Sequence, residues 1–142
     1  MATGFFATTA NLIEVSSKDF YPIFNNTSVV GGFNSGMLDT TTGTALVPEE
    51  GVYDISSSLN FEFNFAPPQF TVRLIAEIDG AQSRLISETI VKHNDANTYT
   101  LNGPLQLEAG QRVRIKLWTS VFNEGTQYIN GHFGSFFAMT KH

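Results

Sequence analysis

Residues 51–65 read GVYDISSSLNFEFNF. The odd positions from Tyr53 are Tyr53, Ile55, Ser57, Leu59, Phe61, Phe63 and Phe65. The even positions between them are Asp54, Ser56, Ser58, Asn60, Glu62 and Asn64. Successive side chains of a strand point to opposite faces, so this is one strand with an apolar and a polar face. At helical period the same residues leave no apolar stripe. Pro48 and Gly51 stop regular structure before the stretch, and Ala66-Pro67-Pro68 stops it afterwards. The spacing predicts a long strand serving as the central rib of an antiparallel sheet.

Working outward, Phe70 to Ile78 alternates again, and Asp79-Gly80 behind it is a strong hairpin signal leading into Ser83 to Val91. Thr98 to Leu107 reads as a strand with a bend at Gly103-Pro104, and Glu108-Ala109-Gly110 as a turn. Arg112 to Val121 places Val113, Ile115 and Leu117 inward, with Arg112, Arg114, Lys116 and Trp118 outward. A last strand is expected over Asn130 to Thr140. Upstream, Phe5 to Ile13 and Lys18 to Phe24 are strand candidates, followed by a glycine-rich stretch. No segment sustains helical periodicity. Many short strands at this spacing predict an all-β antiparallel sandwich or jelly roll, one domain over residues 1–142.

Composition narrows the function. The chain has no cysteine, which removes disulfides, thiolate metal sites and cysteine nucleophiles. A net charge of −5 with thinly spread Lys and Arg argues against a nucleic-acid groove. No apolar run reaches the length of a membrane-spanning helix, so no membrane insertion is expected. The three histidines, His93, His132 and His142, belong to no G-x-S-x-G elbow or H-E-x-x-H pair, so no enzyme activity is expected.

Four pieces carry a resemblance. Pro48-Glu49-Glu50-Gly51-Val52-Tyr53-Asp54-Ile55 resembles the P-x-x-G-[LV]-Y-x-[IF] strand of the complement component 1q and tumour-necrosis-factor jelly rolls. Asp39-Thr40-Thr41-Thr42-Gly43 resembles the D-x-x-T-G turn before it, and Leu105 to Val113 is similar to the L-x-L-x-x-G-D-x-V strand–turn–strand. His132 to Met139 resembles the closing strand of the cytokine branch. The pieces occur in the family's order. The resemblance implies a ten-strand jelly-roll sandwich that forms a compact homotrimer. It also implies a non-enzymatic head that binds a protein or carbohydrate ligand, extracellular or surface-displayed. The opening MATGFFATTANL has neither the basic start nor the apolar core of a signal peptide, so that localisation rests on the resemblance. The alternative is a structural trimerisation cap or a fibre or virion tip.

Candidate sites follow. Arg112, Arg114 and Lys116 are the one concentration of positive charge, suited to an acidic partner or anionic glycan. The same ladder also fits a solvated sheet face, cross-strand pairing with carboxylates, or a subunit contact. Trp118, Phe122 and Tyr128, with Asn123 between them, combine rigid aromatic surface and adaptable hydrogen bonding, as glycan and protein epitopes require. They fit equally as a cap on the end of the sandwich. Asn94 and Asp95 offer oxygen ligands for Ca²⁺, although one carboxylate is few for that ion and loops are rich in Asn and Asp for turn reasons. No other cofactor is expected. Phe133, Phe136 and Phe137 are candidates for the trimer interface. Phe136 and Phe137 point opposite ways on a strand, so one of them needs a second apolar surface.

Overall fold

The computed structural model describes residues 3–10, 13–63, 70–91, 97–120, 127–131 and 135–142. In chain order the strands are β1 (Gly4–Thr9), β2 (Ile13–Glu14), β3 (Asp19–Phe20), β4 (Phe24–Asn26), β5 (Phe33–Asn34), β6 (Leu38–Asp39) and β7 (Thr44–Leu46). They continue with β8 (Gly51–Phe63), β9 (Phe70–Ile78), β10 (Ala81–Val91), β11 (Asn97–Leu107), β12 (Arg112–Thr119), β13 (Gln127–Asn130) and β14 (Phe136–Lys141). They form two antiparallel sheets packed as a sandwich, and no helix occurs among the described residues.

β8 is the rib of the eight-stranded sheet. β11 runs along one side of it, from Leu107 opposite Gly51 to Asn97 opposite Phe61. Its other side is shared by β14, opposite Tyr53 to Ser58, and β13, opposite Asn60 to Phe63. β1, β4 and β5 continue the sheet beyond β14, and β2 continues it beyond β13. The second sheet runs β10, β9, β12, β7, β6, with β3 on the free edge of β12.

The odd positions of β8 enter the core as expected: Tyr53, Ile55, Leu59 and Phe61 are all at most 1% exposed. Ser57 interrupts that apolar row without cost to its hydroxyl, which donates to the Phe136 carbonyl at 2.8 Å. Tyr53 donates its hydroxyl to the Glu49 carbonyl at 2.7 Å, so the Pro48–Tyr53 corner is closed by its own tyrosine. Phe5, Phe24 and Phe137 meet edge to face around the far end of the core, with centroids 4.8 and 5.5 Å apart. Burial of each such ring contributes up to about 3 kcal/mol.

Asp79 and Gly80 have φ of 50° and 81°, and Ala81 pairs with Ile78. That is the two-residue turn whose twist matches its strands. The D-x-x-T-G turn is closed by the Gly43 amide donating to the Asp39 carbonyl at 2.8 Å, while Asp39 Oδ1 accepts from the Thr41 amide. Gly43 has φ of 76°, and a Cβ there would lie 2.7 Å from the Pro22 carbonyl oxygen.

Two expected strands are divided. The stretch Phe5 to Ile13 yields β1 beside β14 and β2 beside β13, and the expected last strand yields β13 and β14. Both parts of the last stretch lie along one edge of β8, β14 opposite Tyr53 to Ser58 and β13 opposite Asn60 to Phe63. Two short strands share its edge.

Candidate functional site

β12 alternates cleanly, with Val113, Ile115 and Leu117 at most 1% exposed against the core. Arg112, Arg114, Lys116 and Trp118 therefore share the outer face of the six-stranded sheet. The register brings Arg114 opposite Glu77 of β9. Glu77 is 4% exposed, and two cations converge on it. Arg114 donates Nε to Glu77 Oε1 at 3.0 Å, and Lys116 Nζ lies 3.2 Å from Oε2. Tyr21 lies against the same group, its hydroxyl 3.4 Å from Oε2, and the Arg114 guanidinium stacks 3.8 Å from the Tyr21 ring centroid.

These contacts set the titration of the cluster. Burial pushes the Glu77 carboxyl up, but hydrogen bonds from Lys116 and Arg114 outweigh it and hold the carboxyl below its ordinary range. Burial pushes Lys116 down, and the Glu77 carboxylate more than restores it, leaving it raised. Burial and the Glu77 charge both raise Tyr21. The cross-strand alternative for the basic ladder is the arrangement found at Arg114 and Lys116, which share one buried carboxylate.

Arg112 is different. Its backbone is pinned by Asp79, whose amide donates to the Arg112 carbonyl at 2.8 Å and whose Oδ1 accepts the Arg112 amide at 2.9 Å. Its side chain is exposed and makes no ion pair or hydrogen bond among the described residues. A cleft of about 580 Å³ runs from Tyr21 past Asp39, Thr42 and Thr44 to Arg112 and Arg114. A second cleft of about 360 Å³, between Thr44, Asp79 and Gly80, has the same two arginines as a wall.

Trp118 is flanked by Arg73, 4.8 Å from its ring centroid, and by Lys18 at 5.3 Å. Arg73 is itself paired with Glu88 of β10. Tyr128 lies on the other side of the sandwich. It is in register with Glu62 and Glu14, on the outer face of the eight-stranded sheet. The aromatic patch expected around Trp118 and Tyr128 is thus divided between two sheets, because the chain changes sheet between β12 and β13. Phe122, Asn123, Asn94, Asp95 and Phe133 lie outside the described residues.

Phe137 is fully buried in its own core, so of the expected interface phenylalanines it is not available to another chain. Phe136 points outward and stacks on Phe6, with centroids 5.0 Å apart and planes 19° from parallel. Phe33 lies opposite Phe6 in register, so Phe33, Phe6 and Phe136 form a half-buried aromatic row across β5, β1 and β14. Next to it the face turns polar. Asn130 donates to Asn60 at 2.7 Å and to Glu62 at 3.1 Å, and Asn60 donates to Thr98 at 3.0 Å.

Sequence reasoning missed Tyr21, Asp39, Thr42, Thr44 and Asp79 as companions of the arginines. The two turns were legible, but only the pairing of β12 with β7 and β9 sets them beside Arg112.

A scan of family models finds none that matches the chain, and no curated protein matches its sequence. Among solved structures, the globular domain of zebrafish complement 1qA protein is similar over 96% of this chain and 94% of that one. The TM-score is 0.63 at 14% sequence identity. At that identity the likeness is one of fold: the chain adopts the sandwich of a complement 1q globular domain.

Proposed function

We propose that this chain is a non-enzymatic recognition head that assembles as a homotrimer, extracellular or surface-displayed, and binds a protein or carbohydrate ligand. The fold it shares with a complement 1q globular domain supports the class of function. The observation that carries assembly is the row of Phe33, Phe6 and Phe136 on the outer face of the eight-stranded sheet. Aromatic rings in a row on an outer sheet face are the kind of surface that protein contacts cover. The polar half of the same face, Asn60, Thr98 and Asn130, would supply the hydrogen bonds of a mixed interface.

Recognition is supported over a purely structural cap by the opposite side of the molecule. There Arg112, exposed and unpaired among the described residues, stands in a cleft on the outer face of the six-stranded sheet. Native mass spectrometry tests assembly, and an array of glycans and surface proteins tests recognition. A trimer that captures at least one ligand class is expected. A chain that is monomeric and captures none contradicts the proposal.

A further inference from the structure

We propose that the cleft walled by Arg112 and Arg114 takes a hydroxylated carboxylate, the acidic sugar of a glycan. This deepens the recognition-head reading and rests on it.

The two arginines are two residues apart on one strand face, which sets their backbones roughly 7 Å apart. Each is prepared for an anion in a different way. Arg114 is held at Nε by Glu77 and lies 3.8 Å from the Tyr21 ring centroid, so its guanidinium is restrained while the side chain stays 39% exposed. Arg112 has a fixed backbone and an uncommitted guanidinium. A planar fork matches a carboxylate with two parallel hydrogen bonds.

The acids of the cleft narrow the choice of anion. Asp39 lines the larger cleft and Asp79 the smaller, and hydrogen bonds from the Thr41 side chain and backbone hold the Asp39 carboxyl below its ordinary range. With one aspartate at each cleft and Arg114 already paired to Glu77, the net field that would attract a dianion such as sulfate or phosphate is weak. The aspartates do supply acceptors for hydroxyl donors, and Thr42 and Thr44 add hydroxyls of their own. Leu46, 47% exposed at the same cleft, offers an apolar wall for the C–H face of a ring. A group with one carboxylate and several hydroxyls satisfies all of these, and the larger cleft is of the size that small-molecule sites have.

The test is a titration of the full chain with sodium glucuronate at fixed ionic strength, following the arginine Nε–Hε and Thr44 amide resonances. Acetate, glucose and sulfate are titrated in parallel. Saturable shifts at Arg112, Arg114 and Thr44 are expected with glucuronate, at least fivefold weaker binding with acetate, and no saturation with glucose. Arg112→Gln should weaken glucuronate binding at least tenfold, and Arg112→Lys should fall between. Arg112 is exposed, so these variants keep the fold, and Thr44→Val gives an independent variant expected to weaken glucuronate but not acetate. Sulfate binding as tightly as glucuronate, or Arg112→Gln binding like the parent, overturns the proposal. If the parent captures array ligands and Arg112→Gln captures them equally, this site is wrong while the recognition head stands. If the parent shows neither array capture nor glucuronate shifts, both fall.

Discussion

The guanidinium of Arg114 lies 3.8 Å from the centroid of the Tyr21 ring, and this contact ties β12 to the segment that follows β3. Beneath it Arg114 and Lys116 share Glu77. Two of the three members of the basic ladder are therefore tied into internal structure, and Arg112 is the one with no partner among the described residues.

Glu77→Ala removes the carboxylate that Arg114 and Lys116 share and leaves Lys116 only the longer contact to Asp19 at 3.7 Å. Arg114 is 39% exposed, so solvent screens part of the loss and the cost is about 2 kcal/mol rather than that of a fully buried pair. Urea unfolding should show a loss of that order, and Glu77→Gln, which keeps an acceptor for Arg114, should lose less. Equal stability of Glu77→Ala and the parent would show that the cluster is solvated.

The pH dependence has a definite sign. The Glu77 carboxyl is lowered on folding, so its contribution is present above the unfolded carboxylate value of about 4.3 and disappears as pH falls through the lower folded value. Lys116 is raised, so its contribution is present below the unfolded lysine value of about 10.4 and is lost as pH rises through the higher folded value. Stability against urea, measured from pH 7 downward, should fall more steeply below about pH 4 in the parent than in Glu77→Gln. Parallel curves would remove Glu77 from the acid transition.

Much of this fold is legible in the sequence, for local reasons. The alternation of β8 and β12 and the Asp79-Gly80 turn depend on neighbours along the chain, and each is found where the pattern places it. The site was less legible because it depends on register. Nothing within β12 says that Glu77, thirty-seven residues before Arg114, will stand opposite it. Tyr128 and Trp118 are close in sequence yet face opposite sides of the sandwich. Phe136 and Phe137 show how far pattern reaches. Their opposition was readable, and which of the two turned inward required the pairing of β14 with β1 and β8.

Gly43→Ala tests the turn that places Thr42 and Thr44 at the cleft. The residue has φ of 76° and would press a methyl group to 2.7 Å from the Pro22 carbonyl oxygen, a backbone atom with no rotamer to yield. A loss of roughly 2 kcal/mol is expected by thermal or urea unfolding. A loss below about 0.5 kcal/mol would show that the turn relaxes freely.

Trp118→Ala separates packing from recognition. With Arg73 and Lys18 on its ring, the indole is expected to contribute roughly 1 kcal/mol to stability. It should contribute nothing to glucuronate binding, since it does not line the cleft of Arg112. A change in glucuronate affinity beyond fivefold would place Trp118 in the ligand site.

Assembly through the aromatic row is the central claim, and sedimentation equilibrium at micromolar concentration tests it most directly. The parent should sediment at three times its 15.6 kDa chain mass. A Phe6→Ser, Phe136→Ser double variant with an unchanged strand-type circular dichroism spectrum should sediment at the single-chain mass. A parent that sediments as a monomer, or a correctly folded double variant that remains a trimer, would contradict the account.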